Sequence, residues 1–294
     1  MGCNAPLSGW LDPTSRKFST RRPAGAEERV TVPCGGCIGC RLDKSREWAV
    51  RMMHETQMHG ESLFVTLTYD DDNLPRDWSL RPRDMTLFLK RLRKHVGTDN
   101  TIRYYQCGEY GDRTKRPHHH AIIWGWRPSD TKVHSGSGRH RLYTSAELEA
   151  LWGHGQTPFG DVTFESCAYV ARYVTKKIGG DMADLHYRRF DDETGEVWNI
   201  RPEYATMSRR PGIGFEWFRQ FGHYTFTHDH VIAQGKPMRV PRTYDNWLKR
   251  EDFETFEQIK NDRCLAPRVV RTDRQLRARE IIAKKRLQQR DEQK

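Results

Sequence analysis

The stretch Ile102-Arg103-Tyr104-Tyr105-Gln106-Cys107, followed after Gly108-Glu109-Tyr110-Gly111-Asp112 by Pro117-His118-His119-His120-Ala121-Ile122-Ile123-Trp124, decides how the rest of the chain is read. Both ends of it are short, apolar and aromatic. This predicts a strand over 102–107 and another over 118–124, with Gly108 through Pro117 turning the chain between them. Upstream, Leu63-Phe64-Val65-Thr66-Leu67-Thr68-Tyr69 is again strand-like and is broken by Asp70-Asp71-Asp72-Asn73-Leu74-Pro75. Met85 to Lys94 alternates apolar and basic residues at helical spacing and closes near Gly97. Downstream, the polar, Gly- and Ser-containing residues 127–142 predict a mobile loop, and Ser145 is placed to cap a short helix. A brief strand is expected near Asp161-Val162-Thr163-Phe164, and a helix after it. The order strand, helix, strand, strand, helix, strand is a split βαβ arrangement, which makes the fold class α+β with an antiparallel sheet flanked by helices.

The residues that carry chemistry lie on these elements. Along a strand, His118 and His120 point to one face and His119 to the other. Two imidazoles make a corner of a metal site, and Glu109, across the turn, supplies a carboxylate if the two strands pair. Such a set with open positions suits Mg²⁺ or Mn²⁺, which can polarise a phosphate oxygen. A plain turn at Gly-Glu-Tyr-Gly is the simpler alternative for Glu109. Further on stands Tyr169-Val170-Ala171-Arg172-Tyr173-Val174-Thr175-Lys176-Lys177. At roughly 3.6 residues per turn, a helix stacks Tyr169 and Tyr173 on one face, and Lys176 and Lys177 follow one turn later. Val174 and Ile178 fall on the far side. Tyrosine is a poor nucleophile at neutral pH unless a cation or metal activates it. With lysines to steady phosphate charge, the constellation suits strand cleavage of DNA through a phosphotyrosine. A core helix whose tyrosines fill space is the competing interpretation. His228-Asp229-His230 repeats the His-x-His spacing without a following apolar strand and is treated as a decoy.

The rest of the chain is less patterned. Residues 1–33 are rich in Gly, Pro, Ser and Arg and predict an extended arm, and Cys34, Cys37 and Cys40 follow it. Their spacing can bring thiolates around a Zn²⁺ if a fourth ligand exists, for which Cys3, Cys107 or a histidine are candidates. The spacing also overlaps that of iron–sulfur ligands, and a glycine-rich turn with reduced thiols needs no metal. Arg41 to about His59 predicts a helix with Leu42, Trp48 and Met52 on its buried stripe. The domain plan is an arm with the cysteine cluster at 1–40, a core at 41–180, an extension at 181–262 and a basic helical tail at 263–294. The formal net charge of +11 favours a polyanionic partner, and nine Trp, eleven Tyr and twelve Phe leave aromatics for stacking on unpaired bases. No stretch reaches the roughly 18 apolar residues of a membrane span, and no apolar signal core opens the chain. A cytosolic protein with no membrane partner is expected, its cysteines serving as thiols or ligands.

Taken together, these segments resemble the replication initiators of the Microviridae, in the gokushovirus branch of the HUH endonuclease superfamily. The likeness rests on Phe64 to Tyr69, on Gly108-Glu109-Tyr110-Gly111 leading to Arg116-Pro117-His118-His119-His120-Ala121-Ile122-Ile123, and on Tyr169-x₃-Tyr173 with Lys176 and Lys177. It rests also on Pro33 to Arg41, on Ser208-Arg209-Arg210-Pro211-Gly212-Ile213-Gly214 and on Pro241 to Tyr244, and so covers most of residues 33–250. The middle residue of the usual His-hydrophobic-His motif is here His119. The resemblance implies a ferredoxin-like HUH core and an enzyme that nicks and rejoins single-stranded DNA at a phage replication origin during rolling-circle replication. It implies His118 and His120 as metal ligands, Glu109 as a third, Tyr169 and Tyr173 as alternating nucleophiles, and the host bacterial cytoplasm, with its polymerase and helicase, as the setting. The alternative from another class is a non-catalytic, zinc-dependent nucleic-acid-binding protein for packaging or regulation, carried by the cysteine cluster and the basic tail.

Overall fold

The computed structural model describes residues 2–98, 100–138, 141–173, 183–191, 194–266 and 270–292. These fall into two compact units, one formed by 1–46 with 260–294 and the other by 47–259.

The first unit contains a small antiparallel sheet in the order β2 (Phe18–Ser19), β1 (Leu7–Leu11), β3 (Arg29–Val32). Residues 1–33, expected as an extended arm without regular structure, thus supply three strands. Their pairing is encoded in backbone hydrogen bonds with no apolar alternation, which is why periodicity did not show them. Helix α1 (Ile38–Gln57) begins in this unit and continues into the second.

In the second unit the strands and helices follow in the order β4 (Ser62–Leu67), α2 (Pro82–Val96), β5 (Arg103–Tyr110), β6 (Pro117–Trp124), β7 (Lys132–Ser135), β8 (Leu142–Thr144), α3 (Ala146–Trp152), β9 (Phe159–Gly160) and α4 (Phe164–Tyr173). After them come α5 (Ala183–Tyr187), β10 (Arg188–Phe190), β11 (Val197–Asn199), β12 (Tyr204–Met207), α6 (Phe215–His228), β13 (Val231–Ala233), β14 (Lys236–Met238) and α7 (Arg242–Glu251), then α8 (Phe253–Leu265), whose residues from 260 on belong to the first unit, and in the first unit α9 (Asp273–Glu292). The main sheet is antiparallel throughout, in the order β12-β5-β6-β4-β9-β8-β7. The α+β class with an antiparallel, helix-flanked sheet is therefore the fold.

Alternation along the central strands builds two cores. Leu63, Val65, Leu67, Ala121 and Ile123 face Met85, Phe88, Leu89 and Leu92 of α2 and Leu148 and Trp152 of α3. Tyr105, Cys107, Ile122 and Trp124 face Ala49 and Met52 of α1 and Cys167, Val170 and Ala171 of α4. On α1, Ala49, Val50 and Met52 are buried, while Leu42 and Trp48 are only partly so.

Several local expectations need correction. The strand expected at 102–107 runs on to Tyr110, so only residues 111–116 turn the chain. Gly108 sits inside it because a Cβ there would come within 2.5 Å of the Tyr204 ring and 3.1 Å of His119 Nδ1. The polar region 127–142, expected as a mobile loop, contains β7 and the start of β8, which pair with each other and extend the sheet. Both are exposed on their outer faces, so their polar composition mimics a loop. The strand expected near 161–164 is β9, two residues earlier, and Phe164 already belongs to α4. Ser145 caps α3 as expected, its Oγ accepting from Leu148 N at 3.0 Å.

Candidate active site

The pairing of β5 with β6 sets the site. Glu109 stands opposite His118 and Cys107 opposite His120, and β4 brings Thr66 opposite His120 from the other side. Strand alternation turns Glu109, His118 and His120 to the face covered by α4. Helix α4 is started by Thr163, whose Oγ1 accepts from Ser166 N at 3.1 Å while Ser166 Oγ accepts from Thr163 N at 2.9 Å. Its Cys167, Val170 and Ala171 are buried against the sheet, which leaves Tyr169 half-buried over the histidines.

Glu109 Oε1 lies 2.8 Å from His118 Nε2 and 3.2 Å from His120 Nε2. The three ligand atoms are all within 4.8 Å of one another. The outer nitrogens are fixed elsewhere. His118 Nδ1 donates to the Arg116 carbonyl at 3.2 Å, and His120 Nδ1 is 2.9 Å from Thr66 Oγ1. With Nδ1 carrying the proton, a neutral imidazole aims the Nε2 lone pair at the carboxylate, an arrangement that a cation or an added proton relieves. Glu109 Oε2 is buried and accepts no hydrogen bond among the described residues, although a buried carboxylate oxygen ordinarily has a partner. Burial alone would raise the Glu109 carboxyl, but hydrogen bonds and charge from His118 and His120 in their protonated form overcome it and hold the group at about 2, a stabilisation that a cation would supply in place of those protons. A buried anion, an orphaned oxygen and two oriented imidazoles together fit a divalent cation.

Tyr169 completes the cluster. Its hydroxyl is 3.4 Å from Glu109 Oε1 and 3.4 Å from His120 Nε2. Its ring meets His120 and Phe64 edge-on, and the Arg172 guanidinium lies 5.5 Å from the ring centroid. Tyr173 is the last described residue of α4. Lys176, Lys177, Val174 and Ile178 lie outside the described residues.

His119 takes no part in the cluster. It is fully buried on the opposite face, 3.2 Å from both the Tyr69 and Tyr204 hydroxyls. Burial, with the neighbouring histidines, pushes its pKa down to about 3 and keeps it neutral. Sequence reasoning missed Thr66, the Arg116 carbonyl and Arg172. The first could have been found by counting register from the paired strands; the others needed coordinates.

Cys34, Cys37 and Cys40 are also brought together, and Cys3 joins them. Cys107, the other cysteine considered as their fourth partner, is instead buried in the core under α4. His228 and His230 are not part of any such group among the described residues.

A family model described as replication-associated protein ORF2/G2P matches residues 62–178, from β4 to beyond Tyr173. Replication-associated protein VP4 of Bdellovibrio phage phiMH2K is 35% identical over 265 residues, covering 87% of this chain and 80% of that protein. The chain belongs to the replication-associated proteins of the Microviridae. Replication-associated protein ORF2 of Spiroplasma virus 4 is similar at 32% identity over 252 residues, covering 79% of this chain and 73% of that protein. Replication-associated protein ORF4 of Chlamydia phage 1 is 30% identical over 244 residues, 78% of this chain and 57% of that longer protein. No solved structure matches the chain. The stretch matched by the family model contains Glu109, His118, His120 and Tyr169.

Proposed function

We propose that this replication-associated protein nicks single-stranded DNA at the phage origin and later rejoins it, through a 5′-phosphotyrosine. Tyr169 and Tyr173 serve as alternating nucleophiles, and Glu109, His118 and His120 hold a Mg²⁺ or Mn²⁺ ion. The observation that carries this reading is the Tyr169 hydroxyl at 3.4 Å from both Glu109 Oε1 and His120 Nε2. A nucleophile has no structural need to stand over a buried anion and two oriented imidazoles. The bound ion would polarise a phosphate oxygen and favour attack at phosphorus.

The chain's own residues do the rest. Arg172 sets a positive charge over the Tyr169 ring, 5.5 Å from its centroid. The phenol donates toward Glu109 Oε1, and the proton it loses as the ester forms passes to solvent. The Tyr169 oxygen bonds to phosphorus and the 3′ oxygen of the preceding nucleotide leaves, taking a proton from solvent. A host polymerase can extend the resulting 3′ hydroxyl, behind a host helicase that opens the duplex. Attack by Tyr173 on the regenerated junction transfers the 5′ end, and the freed 3′ hydroxyl then closes a circle. Each step exchanges one phosphoester for another, so no nucleotide is consumed. Lys176 and Lys177 are expected to neutralise the phosphate.

In this reading 41–180 is the endonuclease core, 181–262 an extension and 263–294 a basic tail, with the host cytoplasm as the place of action. Among the described residues no helix is long and apolar enough to cross a membrane.

The test is covalent trapping. Protein is incubated with single-stranded DNA carrying the phage origin and Mn²⁺, then denatured and run on a gel. A protein–DNA adduct that chelator suppresses, and that disappears only when Tyr169→Phe and Tyr173→Phe are combined, is the expected result. DNA binding without an adduct would overturn the reading in favour of a non-catalytic binder.

A further inference from the structure

The strands of the first unit are 5, 2 and 4 residues long. Among the described residues, none of 1–46 enters a cluster of buried apolar side chains. A sheet this small and this poorly covered is not expected to hold its shape in water without a staple.

Four cysteines converge where such a staple is needed. The β1–β3 ladder ends at the Leu7–Val32 pair. Cys3 and Cys34 lie just beyond it on the two adjacent segments, and Cys37 and Cys40 lie at the start of α1. Cys3 Sγ is 3.8 Å from Cys34 Sγ and 3.9 Å from Cys37 Sγ, and all four sulfurs are within 4.8 Å of one another. These separations are far from the roughly 2.05 Å of a disulfide. Four sulfurs at about 2.3 Å from one tetrahedral Zn²⁺ would stand about 3.8 Å apart. The short separations leave room for a single ion rather than for a cluster of several irons.

The backbone is arranged for the same end. Asn4 N donates to Cys37 Sγ at 3.2 Å, Cys37 N to Cys34 Sγ at 3.3 Å and Cys34 N to Cys3 Sγ at 3.4 Å, bonds that stabilise thiolates. The segment carrying Cys3 is seated by Gly2 N donating to Asp43 Oδ2 at 2.7 Å. Gly39 makes that approach possible, since a Cβ there would fall 1.4 Å from the Gly2 carbonyl oxygen.

We infer that Cys3, Cys34, Cys37 and Cys40 form a closed, structural Zn²⁺ site that ties the β1–β3 ladder to the first turn of α1. With four protein thiolates the ion keeps no open position, so its role is to hold the fold rather than to perform chemistry. The site is separate from the Glu109–His118–His120 cluster and does not depend on the proposed nicking.

The full chain, purified under reducing conditions without added metal, should contain about one zinc per chain that survives desalting. Replacing the zinc with Co²⁺ should give the absorption of a tetrahedral tetrathiolate site, with thiolate-to-cobalt charge transfer. Cys3→Ser should lose the zinc, whereas C264S, at an exposed cysteine outside the group, should retain it. If Cys3→Ser fails to fold, Cys3→His keeps four ligands and should show a weaker charge-transfer band, one thiolate fewer. A reduced chain that contains no zinc and takes up none, iron in its place, or an unchanged cobalt spectrum in C3H would overturn the inference.

Discussion

Thr66 shows how much a single hydroxyl can govern. Its Oγ1, 2.9 Å from His120 Nδ1, anchors the imidazole with Nε2 turned toward Glu109. Thr66→Val keeps the shape and removes the partner, so Mn²⁺ affinity should fall about 10–100-fold while circular dichroism is unchanged. Calorimetric titration of the variant would check this, and unaltered affinity would mean that the strand alone orients His120. Register was legible for His118 and His120 from alternation, and Glu109 from its place before the turn. The half-buried position of Tyr169 was not, because helical spacing gives a face but not what covers it.

At the scale of elements, α1, α6 and α7 meet around His54. Its Nδ1 is 2.8 Å from the Tyr244 hydroxyl and its ring stacks on Trp217 at 3.5 Å. One residue on, Glu55 receives Gly214 N at 2.6 Å and is paired with Arg103 of β5. Gly214 has φ +80°, and a Cβ there would meet the Tyr244 hydroxyl at 2.6 Å, so glycine is required at this junction. Burial pushes the His54 pKa from 6.5 down to about 3. The unfolded chain therefore takes up a proton below about pH 6.5 that the folded chain refuses until about pH 3. The stabilisation is whole above about pH 6.5 and is lost progressively as pH falls toward 3. Urea midpoints should drop across this window in wild type and drop less in His54→Gln, where the titrating group is gone. Equal drops in both would show that His54 does not set the acid limit. None of this junction was visible in the 181–262 region, whose Gly- and Pro-broken runs carry no sustained period.

For the whole molecule, the formal net charge of +11 calls for a polyanion. Helix α9 is exposed or partly exposed over its described residues and carries basic side chains around its circumference. Lys284 is paired with Glu280 at 2.9 Å, an exposed ion pair worth little. Changing Arg277, Arg279, Lys284 and Lys285 to Ala keeps helix propensity and removes four charges. Each phosphate that these side chains no longer neutralise should lower the slope of log affinity against log salt by about 0.7 for single-stranded DNA. Binding of oligonucleotides over a salt series would measure it, and an unchanged slope would make α9 a solvated helix without a part in binding.

What the sequence determined by itself was whatever is written in local pattern. The apolar alternation of 63–67 and 118–124, the helical period of 85–94 and the Ser145 cap led to an antiparallel α+β sheet. Spacing alone proposed His118 and His120 as one pair and Cys34, Cys37 and Cys40 as one group. The tertiary structure decided what depends on residues remote in the chain. It made Tyr204–Met207, from the unpatterned region, the edge strand beside β5. It sent His119 to the opposite core, brought Tyr169 over Glu109, and chose Cys3 over Cys107 as the fourth sulfur. Periodicity reports which face of an element is apolar; which faces meet is set by packing between elements, and no local pattern records it.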